Sequence, residues 1–267
     1  MILSASARDR YNREVGNAAA SAVLGLAIAA TLLAGAVAAA VVRLRERVAA
    51  SITAFGGGVL LAAVALELVP EADDGAGTWL TSLGLVAGML LYVGADAWLS
   101  RDDDAATMRR AVQAAAAGRQ MHMPSGEAAR GKAIAAGLFV DGVPESIALG
   151  LTLAQGEIGL ALLVGVLVGN VVEAYGAAQP IVAGGYSRRY AIGLLGAIGL
   201  ALAAATLLGG TLLSGASPAL VGAAQALAAG AVLAVITISI VPHAFTEVSR
   251  LVATAVVAGF VLGYAIS

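Results

Sequence analysis

Long runs of apolar residues, separated by short polar breaks, set the pattern of this chain. They fall at roughly 17–42, 51–70, 78–99, 132–154, 157–182, 189–213, 219–242 and 248–266. Each is close to the ~20 residues that a helix needs to cross the hydrocarbon of a bilayer. The runs are too long and too continuously apolar for barrel strands, in which apolar and polar positions alternate. The pattern predicts an all-α membrane protein of eight transmembrane helices, a single polytopic domain over 1–267. The first run exceeds the apolar core of a signal peptide and lacks a cleavage region, so it reads as a span. Residues 100–131, with Asp102-Asp103-Asp104 and an alanine-rich middle, interrupt the pattern and predict a long loop between the third and fourth spans.

Composition sharpens this picture. Hydrophobic residues make up 60% of the 267 and charged residues 12%, against about 45–50% and 25% in soluble domains. Lipid is therefore the solvent for most of the surface. Glycine numbers 34 while aromatics are 4%, which favours helices that approach closely through small-residue faces. With no cysteine in the chain, a metal site could use only oxygen and imidazole. A net charge of -2 leaves no basic patch to offset phosphate repulsion, so nucleic acid is excluded as a partner.

Basic residues accumulate in cytoplasmic loops. Placing both termini outside puts Arg43, Arg45, Arg47, the 100–131 loop with Lys132, Arg188, Arg189 and Arg250 inside; only Arg8, Arg10 and Arg13 disagree. This predicts a multi-pass protein of the cell (inner) membrane, with 100–131 cytoplasmic. Within that loop, Met121-His122-Met123 is a candidate transient holder of a soft metal, and an ordinary solvated loop is the alternative.

The second and seventh spans repeat one another at an offset of 172. Gly58, Leu61, Ala62, Val69 and Pro70 match Gly230, Leu233, Ala234, Val241 and Pro242, and Glu71 is matched by His243. In the expected topology the two copies run in opposite directions, the arrangement that gives transporters equivalent inward and outward openings.

The fourth and fifth spans carry acids at mid-membrane depth, where a charge costs about 2.5–3.5 kcal/mol on insertion scales. Asp141 and Glu145 stand four apart and share a helix face, as do Asn170 and Glu173, three apart. Pro144 cannot donate to the carbonyl of Val140, which frees a backbone oxygen beside the two acids. No Lys or Arg lies between Lys132 and Arg188, so a bound cation or a proton is expected to neutralise these carboxylates; the alternative is that they pair with buried backbone or hydroxyl groups and only hold the bundle together. The short Gln155-Gly156 connection makes the two helices antiparallel neighbours whose polar faces can meet. Nearer the span ends, Glu67 is a candidate on a cation path, His243 and Glu247 are candidate exit ligands, Ser146 and Gln179 are further pathway candidates, and Asp96 is a weaker one. Glu71, Asp73 and Asp74 close the outer end of the second span.

These residues resemble those of the ZIP (zinc/iron permease-like) divalent-metal transporters. Ala54-Phe55-Gly56-Gly57-Gly58 through Pro70-Glu71 is similar to that family's glycine-rich second helix, and Gly230 through Pro242-His243 to its counterpart. Where the family carries His-Asn-x-Pro-Glu-Gly, this chain has Asp141-Gly142-Val143-Pro144-Glu145-Ser146. On the fifth span the related stretch is Gly169-Asn170-Val171-Val172-Glu173. The resemblance implies Asp141, Glu145 and Glu173 as metal ligands, with Asn170 as a neutral ligand or orienter. It also implies a 3+2+3 inverted repeat, helices one, four, five and six moving against two, three, seven and eight, and commonly a homodimer. Gly142 and Gly169 lack ligand side chains, Asn170 replaces an acid, Val172 replaces a proline and the sixth span has no acid. These departures bear on the second metal of a two-metal site and on ion choice. An all-oxygen site suits harder cations such as Mn²⁺ or Mg²⁺, and carboxylates also bind zinc and iron.

The leading expectation is a secondary transporter moving a divalent cation (Zn, Fe, Mn or similar) inward, with the metal as substrate. The alternative keeps the fold and changes the cargo to another small solute, coupled to protons on the same acids. An intramembrane hydrolase would need a helix with paired histidines, a Gly-x-Ser-x-Gly elbow or a recognisable catalytic aspartate pair. The sequence shows none of these, so the expectation is not an enzyme.

Overall fold

A computed structural model describes residues 5–42, 44–99, 126–154, 159–212 and 216–267. Among these residues ten α-helices follow in chain order: α1 (Ala5–Val41), α2 (Glu46–Ala63), α3 (Val69–Ala76), α4 (Thr78–Leu99), α5 (Gly126–Ala154), α6 (Leu160–Ala183), α7 (Arg188–Leu212), α8 (Pro218–Val235), α9 (Val241–Val248) and α10 (Leu251–Ile266). No strand occurs among the described residues. The π-helical turns Val64–Leu68 and Ile236–Ile240 join α2 to α3 and α8 to α9, so each pair forms one continuous rod. Seven rods are long and apolar enough to cross a membrane, and α10 is a shorter apolar helix of 16 residues.

The structure corrects several expected boundaries. The second and seventh rods do not stop at Pro70 and Pro242 but run on to Ala76 and Val248. Proline removes an amide and crowds the preceding turn. Here each proline sits in the first turn after a π turn, whose wider i→i+5 spacing already sets that part of the bond ladder aside. The helix of the fourth span, α5, begins at Gly126, inside the expected 100–131 loop, and α1 begins at Ala5, ahead of the apolar run. The remaining loop residues, 100–125 with Met121-His122-Met123, and the Gln155-Gly156 connection lie outside the described residues.

Segmentation recurs at the offset read from the sequence. Glu46–Ala63, Val64–Leu68 and Val69–Ala76 reappear 172 residues further on as Pro218–Val235, Ile236–Ile240 and Val241–Val248. Even the helix-ending residues correspond, since Gly77 and Ser249 both take positive φ, 78° and 54°. Glycine adopts such angles freely; serine does not. Ser249→Gly is therefore expected to raise stability by about 1 kcal/mol, the low end of the strain of a non-glycine residue held at such angles, measured as a higher unfolding midpoint in detergent.

Packing sorts the rods into two groups. α1, α5, α6 and α7 pack on one another, with α1 against α6 and α7, and α5 against α6 and α7. The second and seventh rods pack together, α10 lies on α2, and α4 lies on α8. The groups meet where α2 crosses α6 and α5 crosses α8. Small residues permit the closest approaches. A methyl group added at Gly58 would overlap the Val256 carbonyl, and one at Gly259 the Phe55 carbonyl. The same crossing recurs in the other copy, where Gly230 meets the Leu85 carbonyl and Gly88 the Leu227 carbonyl. Ile28, Leu32, Leu60, Leu149, Leu162 and Leu202 fill the shared core, while Trp79, Leu83 and Leu90 of α4 are exposed, as expected of a lipid-facing surface.

Polar clips hold the rod ends. The Tyr175 hydroxyl donates to the Val42 carbonyl at 2.9 Å and accepts from the Leu44 amide at 2.6 Å, fixing the end of α1 to α6. Ahead of the fourth span, Lys132 Nζ donates to the Tyr186 hydroxyl at 2.6 Å and lies 4.1 Å from that ring's centroid. The hydrogen bond to Tyr186 pushes the Lys132 pKa above its ordinary value. The clip is thus fully present at neutral pH and fades only as pH rises through that raised value.

Candidate cation site

The site is built on α5 and α6, which pack against each other. One side of α5 is committed to α7: a methyl at Gly142 would meet Leu202 at 2.6 Å, and methyls at Gly150 and Gly209 would overlap the carbonyls of Thr206 and Ile147. Residues turn by roughly 100° each along an α-helix, which places Glu145 about a third of a turn away from that sealed side, with Leu138, Asp141 and Thr152 in its row. Glu145 is buried, with 6% of its surface exposed. The Asp141 backbone lies one turn earlier in the same helix, and its side chain is outside the described residues.

On α6, Gly165, Gly169 and Glu173 follow one another at intervals of four and form one row. That row faces α2: a methyl at Gly165 would meet Leu60 at 2.8 Å, and one at Gly56 would lie 3.7 Å from the Gly169 nitrogen. The opposite side faces α1, since a methyl on Gly35 would overlap the Val171 carbonyl. Glu173 is half-buried. Nothing lies within 4 Å of a methyl added at Gly169 or Gly176, so open space flanks this carboxylate on both sides along its helix. Asn170 is 2% exposed, and its Nδ2 has no hydrogen-bond partner. An unmatched buried amide fits a pocket that water or a ligand fills.

The other candidates are placed differently. Ser146 is fully buried with an unpartnered Oγ, but it lies in the Gly142–Gly150 row, on the α7 side and away from Glu145. Gln179 is half-buried and about a third of a turn from the Glu173 row. His243 is exposed, Glu247 half-buried, and both sit on α9, while Asp96 is half-buried on α4. Glu67 lies in the first π turn, and its Oε1 accepts from the Ala161 amide at 3.3 Å, at the start of α6. Among the described residues, no three His, Cys, Asp or Glu side chains gather into a group that could hold a metal; the Asp141 side chain lies outside that set.

Sequence reasoning missed Gln225. It is fully buried on α8, and its Nε2 donates to Glu71 Oε2 at 2.6 Å, tying the seventh rod to the second. Its signal was available: it is the sole amide side chain within an otherwise apolar run.

Helix lengths and apolarity make this a multi-pass helical membrane protein. No protein-family model matches the chain, and no curated protein does so either.

Proposed function

We propose that the chain is a secondary transporter of the ZIP kind that carries a divalent cation inward across the cell membrane. Glu145, Glu173 and Asp141 are the ligands and Asn170 is their neutral neighbour. The observation that carries this reading is the recurrence of segments at an offset of 172. Besides the second and seventh rods, the apolar part of the first, Gly16–Val41, corresponds to Arg188–Leu212. α4 corresponds likewise to the shorter α10, which starts 173 residues further on, so three helical segments recur as three, and the acid-bearing pair α5 and α6 lies between the copies. With eight crossings the copies run in opposite directions, and such pairs build two equivalent openings around a central site. The basic residues favour both termini outside. The division of packing into two groups supports one group moving against the other around that site.

The donor set is entirely oxygen, which favours a hard or borderline cation over one that demands imidazole or thiolate. Isotope uptake into proteoliposomes across zinc, iron and manganese tests the proposal. Uptake of at least one metal is expected, falling to background in Glu145→Gln and Glu173→Gln. Silence for all three metals would overturn the metal reading and favour another small solute as cargo.

A further inference from the structure

We propose that Glu67 is a latch that holds this structure shut at one mouth of the site; the inference rests on the carrier reading above. Glu67 belongs to the second rod, in the group with α4, α8 and α10, yet its carboxylate engages the other group. Its Oε1 accepts from the Ala161 amide at 3.3 Å, and the Leu162 amide also points at the carboxylate. The first amides of a helix have no partner within it, and an anionic acceptor there also meets the positive end of the helix dipole. Glu67 thus supplies, from a neighbouring rod, the cap that α6 does not supply itself, because Gly159 makes no side-chain cap bond. The fit depends on that glycine: a methyl at Gly159 would lie 2.6 Å from Glu67 Oε2, an oxygen that is buried and has no partner.

Among the described residues the contact exists on one side only. In the second copy the residue 172 further on is Ser239, in the matching π turn Ile236–Ile240, and it carries no charge. Its counterpart helix, α5, is already helical from Gly126, well ahead of Glu145. Its amides at that depth are therefore bonded within the helix and offer nothing to cap. Two copies of similar build would leave the two closed states near balance, and a cap present in one of them tilts that balance. The latch spans the α2–α6 crossing, where Leu60 packs on Gly165 and Gly56 lies beside the Gly169 backbone. Its release would uncover the Gly169–Glu173 row from the Glu67 side.

The absence of native cysteine makes the test direct. A single Gly169→Cys reporter, placed where a methyl meets nothing within 4 Å, is labelled in sealed membrane vesicles by a membrane-impermeant maleimide, with no metal added. With Glu67 intact, labelling is expected to be slow. Glu67→Ala is expected to accelerate it about tenfold, the population shift that loss of an ordinary cap produces, and only for reagent on the Glu67 face. Gly159→Ala, which crowds the carboxylate without touching its charge, is expected to act the same way, whereas Glu67→Gln keeps an acceptor and should stay near the parent rate. If neither alanine variant changes the rate while both elute as folded protein, the latch is refuted and Glu67 is a structural cap alone. Labelling needs no cargo, so this failure is separable from failure of the metal reading, which only uptake and binding report.

Discussion

A saturating divalent cation is expected to raise the unfolding midpoint of the purified protein in detergent, and Glu145→Gln or Glu173→Gln to erase that rise. Ligand bound only to the folded state adds about 2.7 kcal/mol at a hundredfold excess over Kd. Without metal the same variants should behave in the opposite sense. Glu145 is 6% exposed, so its carboxylate is almost wholly removed from water. Neutralising it removes a desolvation penalty and repulsion from its acidic neighbour, so the metal-free variant should be as stable as the parent or more so. Loss of metal response together with unchanged or higher metal-free stability is the signature of a ligand; lower stability with the response retained is that of a structural acid. The second outcome in both variants would remove the basis for placing metal between α5 and α6.

Gly58→Val and Gly230→Val are each expected to destabilise the fold by about 3 kcal/mol or more, the upper part of the range for overpacking. Both positions abut backbone carbonyls, Val256 and Leu85, so no side-chain rotation relieves the clash and a whole rod must move. Gly94, with nothing within 4 Å of an added methyl, is the control. There Gly→Ala should be neutral or should stabilise by up to about 1 kcal/mol through helix propensity. Thermal unfolding followed by size-exclusion profile would rank the three. Equal behaviour of Gly58→Val and Gly94→Ala would mean that the α2–α10 crossing is looser than described.

Much of the architecture was legible because lipid imposes a length rule: seven of the eight apolar runs became long rods, and the eighth became the shorter α10. Where chain chemistry alone suggested an end, at Pro70 and Pro242, the reading failed. A proline ends a regular α ladder, and nothing in the local sequence announces the π turn that accommodates it. The charged start of α1 was hidden similarly, because a helix can extend past its apolar portion into water. At the site, burial of Glu145 and Asn170 followed from the cost of polar groups in lipid, but facing did not. Ser146 adjoins Glu145 in sequence yet turns toward α7, because glycines at 142 and 150 draw that side of α5 into close contact. The engagement of Glu67 with α6 and of Glu71 with Gln225 depends on which rods cross, which is a property of the assembled bundle.

The two π turns have a geometric consequence. A π turn holds roughly one more residue than an α turn, so everything beyond it is rotated by about 100° relative to an uninterrupted helix. Removing one residue from Val64–Leu68 would restore a plain α-helix and swing α3 around its own axis, carrying Glu71 away from Gln225 while α2 stayed seated on α10. Each extra residue thus works as a phase setting, and it lets the two ends of one rod satisfy different neighbours.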